Sequence, residues 1–223
     1  MHSTNKIKSI LFDMDGTVLE SEGLFARAEH QLLRRYGVDI DIAELNDFRG
    51  MGEDEFYPKF ISRYHLKTSA ETLQRQLKKM LFIIFRTDLH YVRGFCNFYE
   101  RHVRLYNRKT VLVTNTSLDI VMEIRKCIDI DLYFKDIITS SDVSAAKPSP
   151  APYHQAMGLV GSPPVETLII EDSSSGLQSA VDSGAMVIGL PSTLSEDAIH
   201  RINKSIIVLD SYDEIRNFLD SKQ

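Results

Sequence analysis

Short apolar runs rich in β-branched residues recur along this chain of 223 residues, and amphipathic stretches separate them. The runs are apolar at successive positions and not only at alternate ones, which is typical of strands buried on both faces of a parallel sheet. This pattern predicts strands at residues 7–12, 110–114, 136–139, 167–171, 185–190 and 205–209.

The segments between the later strands carry apolar residues at helical spacing. Helices are predicted at residues 94–106, 117–127, 150–159 and 174–183, and Gly184 follows the last of them as a suitable end to a helix. Strands that alternate with helices predict an α/β fold, here a doubly wound, Rossmann-like parallel sheet.

The alternation stops between the first and the second predicted strand. Residues 20–90 contain no good strand, and helices are predicted there at residues 20–36, 53–64 and 70–85. A connection between two parallel strands needs only about a dozen residues. We therefore predict an α/β core domain made of residues 1–19 and 91–223, and an inserted helical cap domain, residues 20–90, over the carboxyl edge of the sheet.

Composition and charge exclude several classes of protein. The formal net charge of −5 argues against binding to nucleic acid or to an anionic membrane. The longest apolar run, MLFIIF at residues 80–85, is far shorter than the roughly 18 residues of a membrane helix. The N-terminal MHSTNKIKS lacks the apolar segment of a secretory signal. We expect a cytoplasmic protein that is a monomer or a weak dimer.

Polar side chains follow several predicted strands at the point where each strand ends. Taken singly, they have ordinary explanations, because a D-x-D-G sequence is often a turn and an acidic pair often caps a helix. In a parallel sheet, however, all carboxyl ends lie at one edge, so such side chains converge. The residues concerned are Asp13, Asp15, Thr114, Asn115, Lys147 in SAAKPSPAPY, Glu171 and Asp172.

The order of these residues resembles the four motifs of the haloacid dehalogenase superfamily. The matching positions are Asp13-Met14-Asp15-Gly16-Thr17, Thr114, Lys147 with Pro148, and Glu171-Asp172. The segments GTVLESE and IIEDSSSGLQSAVDSGAMVIG are similar to the branch of phosphatases and β-phosphoglucomutase-like proteins that carries an α-helical cap. Glu20 is a departure, since that branch usually has Asp at this position.

The resemblance implies transfer of a phosphoryl group to an aspartate, followed by hydrolysis of the aspartyl phosphate. Asp13 is then the nucleophile, and Asp15 is the general acid that protonates the leaving alcohol and later activates water. Thr114, Asn115 and Lys147 are implied to bind the phosphoryl group, with Lys147 balancing its negative charge.

The resemblance also implies Mg²⁺ as the cofactor. An anionic phosphate must approach an anionic nucleophile, and a hard, oxygen-binding cation relieves that repulsion. The implied ligands are the Asp13 carboxylate, the Asp15 backbone carbonyl and the Asp172 carboxylate, with Glu171 acting through a metal-bound water.

The segment DFRGMGEDEF, residues 47–56, matches the cap loop that faces the core in this branch. Arg49 is the candidate for binding an anionic part of the substrate, and Glu53 or Asp54 for binding sugar hydroxyls. A solvated turn after a helix explains the same segment equally well. The expected substrate is a small phosphorylated metabolite, such as a sugar phosphate.

A phosphomutase of the β-phosphoglucomutase type is the main alternative to a phosphatase. Those mutases have a His shortly after the second Asp and an Arg on the cap loop, and this chain aligns Phe25 and Glu53 with them. Both differences favour a hydrolase. A phospho-accepting signalling module uses similar residues, but it carries the phosphorylated Asp on a later strand and lacks an inserted helical cap.

Overall fold

A parallel sheet forms the centre of the computed structural model, which describes residues 7–48, 51–192 and 194–221. The strands are β1 (Ser9–Phe12), β2 (Lys109–Val113), β3 (Ile137–Ile138), β4 (Thr167–Glu171), β5 (Met186–Gly189) and β6 (Ile207–Val208). They form one six-stranded sheet in the order β3-β2-β1-β4-β5-β6, and every neighbouring pair is parallel. The predicted α/β fold with a doubly wound parallel sheet is therefore confirmed.

Strand β1 lies at the centre of the sheet, between β2 and β4. Phe12, its last residue, is in register with Leu112 on one side and with Ile170 on the other. All residues of β1 are buried. The residue that follows, Asp13, consequently leaves the sheet at the middle of its carboxyl edge.

The described helices, in chain order, are α1 (Glu22–Arg35), α2 (Glu53–Tyr64), α3 (Ala70–Asp88), α4 (Phe95–Phe98), α5 (Leu118–Cys127), α6 (Ala151–Val160), α7 (Ser174–Asp182), α8 (Glu196–Ile202) and α9 (Tyr212–Asp220). Helices from α4 onward cover both faces of the sheet. Successive side chains of a strand point to opposite faces. Phe12 accordingly packs against Phe95 of α4, whereas Leu11 belongs to the apolar cluster of Tyr153 on α6 and Leu177 on α7.

The chain between β1 and β2 consists of α1, a 3₁₀ segment (Ile42–Phe48), α2 and α3. Helix α1 packs along α3, and α3 also contacts α5. Phe48 packs edge-on against both Phe56 and Phe60 of α2. The contact between α3 and α5 joins this helical region to the helices that flank the sheet.

The observed elements differ from the sequence prediction mainly near the second strand and in the C-terminal part. Where one helix is predicted at residues 94–106, α4 ends at Phe98 and the chain continues as a π-helix, Tyr99–Arg104. Helices α8 and α9 lie outside the predicted helices. Each is short and begins after a serine that accepts a hydrogen bond from the first turn, a capping signal that apolar periodicity does not reveal.

The longest helix that the structure describes is α3, with 19 residues. Its exposed face carries the charged side chains Arg75, Lys79 and Arg86. Within residues 7–48, 51–192 and 194–221, no helix combines the length and the apolar character needed to cross a bilayer.

Candidate active site

Three strand ends and one loop bring predicted site residues together at the carboxyl edge of the sheet. Asp13 follows β1, Thr114 follows β2 and Glu171 ends β4, while Lys147 lies in the loop before α6. The Lys147 amino group joins them: its Nζ donates hydrogen bonds of 2.7 Å to Asp13 Oδ1 and to Glu171 Oε1. A third hydrogen bond from this Nζ, also of 2.7 Å, goes to the carbonyl oxygen of Val113.

Lys147 is held as a cation in a nearly closed environment, where its side chain is only 2% exposed. Burial by itself lowers the pKa of Lys147, but the Asp13 and Glu171 carboxylates outweigh burial and raise the pKa above its ordinary value. The ring of Tyr153 lies 4.9 Å from the ammonium nitrogen and adds a cation–π contact. Lys147 therefore supplies a fixed positive charge at neutral pH.

Glu171 is fully buried, and protein groups occupy both of its carboxylate oxygens. Besides the lysine, Oε1 accepts a hydrogen bond of 3.0 Å from the Tyr153 hydroxyl. Oε2 accepts from the backbone N–H groups of Asp172 and Ser173, at 2.9 and 3.0 Å. A Cβ at position 176 would lie 1.6 Å from Oε1, so only glycine fits there. The start of α7 and the lysine together fix the orientation of Glu171.

Asp172 is buried beside Glu171. Its Oδ1 accepts a hydrogen bond of 3.3 Å from the Thr17 hydroxyl, and its Oδ2 accepts from the Ser192 hydroxyl. Burial, and after it the charge of Glu171, raise the pKa of Asp172 to about 7. Gly16 has a φ of +83°, and a Cβ there would lie 2.1 Å from Asp172 Oδ2. The D-G-T turn thus requires glycine for two reasons.

Asp13, Glu171 and Asp172 form an acidic cluster, in which one oxygen from each residue lies within 4.8 Å of the other two. Burial, and after it the Glu171 carboxylate, raise the pKa of Asp13 well above its ordinary value. Three buried carboxylates beside one lysine leave an excess of negative charge, which is costly in a protein interior. Mg²⁺ prefers carboxylate and carbonyl oxygens, so this set of donors fits the predicted metal.

Asp15 is held by three hydroxyl groups. Its Oδ1 accepts a hydrogen bond of 2.5 Å from Ser21. Its Oδ2 accepts from Thr116 at 2.7 Å and from Thr114 at 3.2 Å. Burial raises the pKa of Asp15, although these hydrogen bonds act in the opposite direction. A raised pKa suits a carboxyl group that must donate a proton near neutral pH.

Thr114 and Asn115, the predicted phosphate-binding residues, make contacts within the protein. The Thr114 hydroxyl donates to Asp15 and accepts from the backbone N–H of Thr116 at 3.0 Å. The Asn115 side chain bonds the backbone of Lys147 twice: Nδ2 donates to its carbonyl and Oδ1 accepts from its N–H, both at 3.0 Å. Asn115 thereby fixes the loop that presents Lys147.

A cavity of about 110 Å³ extends from these residues to the helices between β1 and β2. We call its two sides the floor and the roof. The floor is formed by Asp13, Asp15, Thr114, Asn115, Thr116 and Lys147. The roof is formed by side chains of α1, the 3₁₀ segment, α2 and α3, among them Phe25, Glu29, Phe48, Glu53, Phe56 and Leu81. One water molecule needs roughly 10–15 Å³ of cavity volume. A cavity of about 110 Å³ can therefore hold a phosphoryl group and a small organic group.

Arg49 lies outside the described residues, so its contact with an anionic substrate group stays a prediction. Glu53 lies in the roof, where its Oε1 accepts a hydrogen bond of 2.5 Å from Ser117 and lies 3.2 Å from Lys78 Nζ. Asp54 is exposed and is not one of the residues that line the cavity. Glu53 thus connects α2 to α3 and to the start of α5.

Several side chains that hold the acidic residues have no role assigned from the sequence, among them Ser21, Thr116, Tyr153 and Ser192. Thr116 can be identified as a candidate site residue from the sequence, because it stands in the T-N-T run directly after β2. Tyr153 and Ser192 cannot be identified in this way, because only the packing of α6 and of the segment after β5 brings them to Glu171 and Asp172.

Two curated proteins are similar to this chain over most of their length. A phosphorylated carbohydrates phosphatase from Thermotoga maritima is 24% identical, over 96% of this chain and 98% of the relative. A phosphoglycolate phosphatase from Photorhabdus laumondii is 27% identical, over 82% of this chain and 80% of the relative.

A solved structure shares the whole fold. CbbY from Rhodobacter sphaeroides, determined in complex with phosphate, superposes with a TM-score of 0.79 at 25% identity, covering 94% of this chain and 96% of the other. A family model described as haloacid dehalogenase-like hydrolase matches residues 10–190, a range that contains the acidic cluster, Asp15 and Lys147. Because that match spans most of the sequence, this chain belongs to the haloacid dehalogenase-like hydrolases.

Proposed function

We propose that this chain is a Mg²⁺-dependent phosphatase that hydrolyses a small phosphorylated metabolite through an aspartyl phosphate on Asp13. The observation that carries the proposal is the buried Lys147 ammonium, whose Nζ lies 2.7 Å from both Asp13 and Glu171. A fixed cation next to a buried carboxylate suits a nucleophile that must accept an anionic group. The phosphatase names of the two curated relatives support the same reaction.

In the first step, a carboxylate oxygen of Asp13 attacks the phosphorus atom of the bound phosphomonoester. The bond between phosphorus and the alcohol oxygen breaks, and the Asp15 carboxyl gives its proton to that oxygen. Lys147 balances part of the charge that gathers on the phosphoryl oxygens. The Thr114 hydroxyl, which donates to Asp15 in the structure, would turn its proton to one of those oxygens, and the backbone N–H of Asn115 would donate to another.

In the second step, water attacks the phosphorus atom of the aspartyl phosphate. Asp15, now a carboxylate, takes a proton from this water, and the bond between phosphorus and the Asp13 oxygen breaks. Inorganic phosphate leaves, and both aspartates return to their starting protonation. The hydroxyl groups of Ser21 and Thr116 keep Asp15 in place through both steps.

The residues that would hold Mg²⁺ are Asp13 and Asp172 through their carboxylates and Asp15 through its backbone carbonyl, with Glu171 acting through a water. When bound, Mg²⁺ supplies the positive charge that offsets the carboxylates and the phosphoryl oxygens. The support for this assignment is the acidic cluster and the raised pKa values of Asp13 and Asp172.

The proposal includes the two domains. Residues 20–90 would act as the cap, and residues 1–19 with 91–223 as the core. Support comes from the cavity, because its floor belongs to the sheet edge and its roof to the helices between β1 and β2. A roof that closes over the floor would exclude bulk water from the aspartyl phosphate.

Release of phosphate from acetyl phosphate and benzyl phosphate, with Mg²⁺ and after chelation, tests the proposed function. We expect Asp13→Asn to lower turnover by about 10³-fold or more, because the covalent step is lost. Asp197→Asn, which removes an exposed carboxylate of α8, is the matched control and should keep the wild-type rate. Turnover that survives in Asp13→Asn contradicts the aspartyl phosphate. In a parallel assay with a sugar phosphate as substrate, an isomerised sugar phosphate without free phosphate identifies the phosphomutase alternative.

A further inference from the structure

Tyr57 is a polar side chain of the roof to which the proposed mechanism gives no role. It lies on α2, is 6% exposed and lines the cavity. A buried tyrosine hydroxyl usually has a hydrogen-bond partner, because an unsatisfied one costs free energy. Within the part of the chain that the structure describes, the Tyr57 hydroxyl makes no hydrogen bond. A partner for this hydroxyl can therefore come from the cavity.

The first turn of α2 holds Tyr57 over the floor. Glu53, the first residue of α2, accepts a hydrogen bond of 2.5 Å from Ser117, and Ser117 directly follows the floor residue Thr116. Residues four positions apart share one face of a helix, so Glu53 and Tyr57 face the same way. The charge of Asp119, in the first turn of α5, also acts on Tyr57. Tyr57 is therefore placed near the carboxyl end of β2, where the phosphoryl group would bind.

The Tyr57 hydroxyl is a neutral group that can both donate and accept a hydrogen bond. Burial, and after it the carboxylates of Glu53, Glu29 and Asp119, raise its pKa, so the phenol keeps its proton at neutral pH. The ring of Phe56 packs edge-on against the Tyr57 ring, with 5.0 Å between their centroids, and restricts its orientation. An alcohol hydroxyl matches a phenol in both capacities, since it can accept from the phenol or donate to it.

We propose that Tyr57 is a specificity-determining residue, whose hydroxyl forms a hydrogen bond with an alcohol hydroxyl on the organic part of the substrate. This inference rests on the proposed phosphatase function, and it names the substrate class as phosphate monoesters of diols and polyols. The floor would act on the phosphoryl group of any substrate. An ester that fills the cavity without a hydroxyl would leave the Tyr57 hydroxyl buried and unpaired, and it would bind more weakly for that reason.

A series of paired substrates tests the substrate class. The pairs are 2-hydroxyethyl, 3-hydroxypropyl and 4-hydroxybutyl phosphate, each with the alkyl phosphate of the same chain length. At the length that reaches Tyr57, we expect the hydroxyalkyl ester to have a kcat/KM about tenfold or more above that of its alkyl partner. Acetyl phosphate carries no hydroxyl and reports on the phosphoryl chemistry alone.

The variant Tyr57→Phe tests the contact itself, because it removes one oxygen and keeps the ring against Phe56. The ratio of kcat/KM between the preferred hydroxyalkyl ester and its alkyl partner should fall by about tenfold, to near one. Turnover of acetyl phosphate should change by less than about twofold, since no hydroxyl is involved. If Tyr57→Phe does not fold, the ratios of the wild type decide.

Tyr64→Phe is the matched control on the same helix. The Tyr64 hydroxyl is also buried and has no hydrogen-bond partner among the described residues, but Tyr64 is not one of those that line the cavity. This variant also removes a single unpaired phenol oxygen from α2. It should keep the ratio of the wild type.

The outcomes separate the two proposals. No hydrolysis of acetyl phosphate or of any other ester contradicts the proposed phosphatase function and the inference that rests on it. Hydrolysis of acetyl phosphate with equal kcat/KM values within every pair overturns the substrate class and leaves the phosphatase in place. A preference for the hydroxyl that is unchanged in Tyr57→Phe, or that falls equally in Tyr64→Phe, overturns the role of Tyr57.

Discussion

The floor and the roof of the cavity hold their side chains in different ways. Floor residues are polar, and directional hydrogen bonds fix them, as the three hydroxyl groups fix Asp15. Roof residues are mainly apolar, and packing fixes them, as Phe48 is fixed against Phe56 and Phe60. A hydrogen bond restricts both distance and angle, whereas a packed side chain can exchange for another of similar volume.

Because of this difference, we expect the floor to determine the reaction and the roof to determine the choice of substrate. The hydrogen bonds of the floor run between residues that would face the phosphoryl group in the proposed function. These bonds therefore do not depend on the organic part of a substrate. The roof can change its shape and polarity without disturbing those bonds. We therefore expect substitutions in the floor to affect the reaction and the fold together, and substitutions in the roof to affect substrate choice with a smaller cost in stability.

The largest effect is expected where the floor loses its cation. Lys147→Met leaves the Asp13 and Glu171 carboxylates buried without the cation that pairs with both of them. This loss should lower the free energy of unfolding by about 3–5 kcal/mol. Hydrolysis of acetyl phosphate should fall by about 10³-fold or more, since the charge that offsets the phosphoryl group is gone. Urea unfolding followed by circular dichroism measures the first effect, and phosphate release measures the second.

Leu81→Met is the matched roof variant, because it introduces the same residue at a buried position that lines the cavity. A volume-conserving exchange of this kind should cost less than about 1.5 kcal/mol. Similar losses of stability in the two variants would contradict the contrast between floor and roof.

The floor could largely be predicted from the sequence because its residues follow strands in a parallel sheet. Once β1, β2 and β4 are assigned, topology alone brings Asp13, Thr114 and Glu171 to one edge. Lys147 is identified by its place in the order of the motifs, although no periodicity marks it. The prediction did not foresee that Thr114 would donate to Asp15 in this structure. The direction in which a hydroxyl group donates depends on the acceptors near it, and a sequence motif does not specify those acceptors.

The roof could not be predicted in this way, because packing between separate helices creates it. Glu29 follows the same local pattern as any polar residue of an amphipathic helix, yet it is buried in the fold. The binding of substrate hydroxyls by Glu53 stays a prediction, and the sequence does not reveal its bond to Ser117, which joins residues 64 positions apart. An apolar pattern with a 3.6-residue period shows which face of a helix is buried. It does not show which cavity that face lines.

A smaller effect is expected from pH in the metal-free protein. The pKa of Asp172 is about 7 in the folded chain and near 3.8 when unfolded. Between these values the folded state binds a proton that the unfolded state has lost, so stability falls as pH rises. From pH 5 to pH 8 this residue alone should lower the free energy of unfolding by about 2–3 kcal/mol. Urea titrations at each pH, in the presence of a chelator, measure the change.

Asp172→Asn isolates this contribution, because Asn accepts and donates hydrogen bonds without titrating. The comparison is needed since the raised pKa values of Asp13 and Asp15 act in the same direction, whereas the lowered pKa of His102 acts in the opposite one. A pH dependence that is identical in wild type and Asp172→Asn would show that this carboxyl is not the source. Mg²⁺ should stabilise the wild type more at pH 8 than at pH 5, as protons compete for the same oxygens.

The smallest effect is expected where the roof meets the floor. Lys78 of α3 lies 2.8 Å from Asp119 and 3.2 Å from Glu53, and its side chain is 14% exposed. Partly exposed ion pairs contribute little, so Lys78→Met should lower the free energy of unfolding by only about 0.5–1 kcal/mol.

These pairs connect α2 and α3 to the first turn of α5. If the roof opens to admit substrate, their loss should raise KM by about two- to fivefold and leave kcat nearly unchanged. Lys79→Met, the neighbouring exposed position of α3, provides the control. An equal change of KM in both variants would mean that the ion pairs do not hold the roof to the floor.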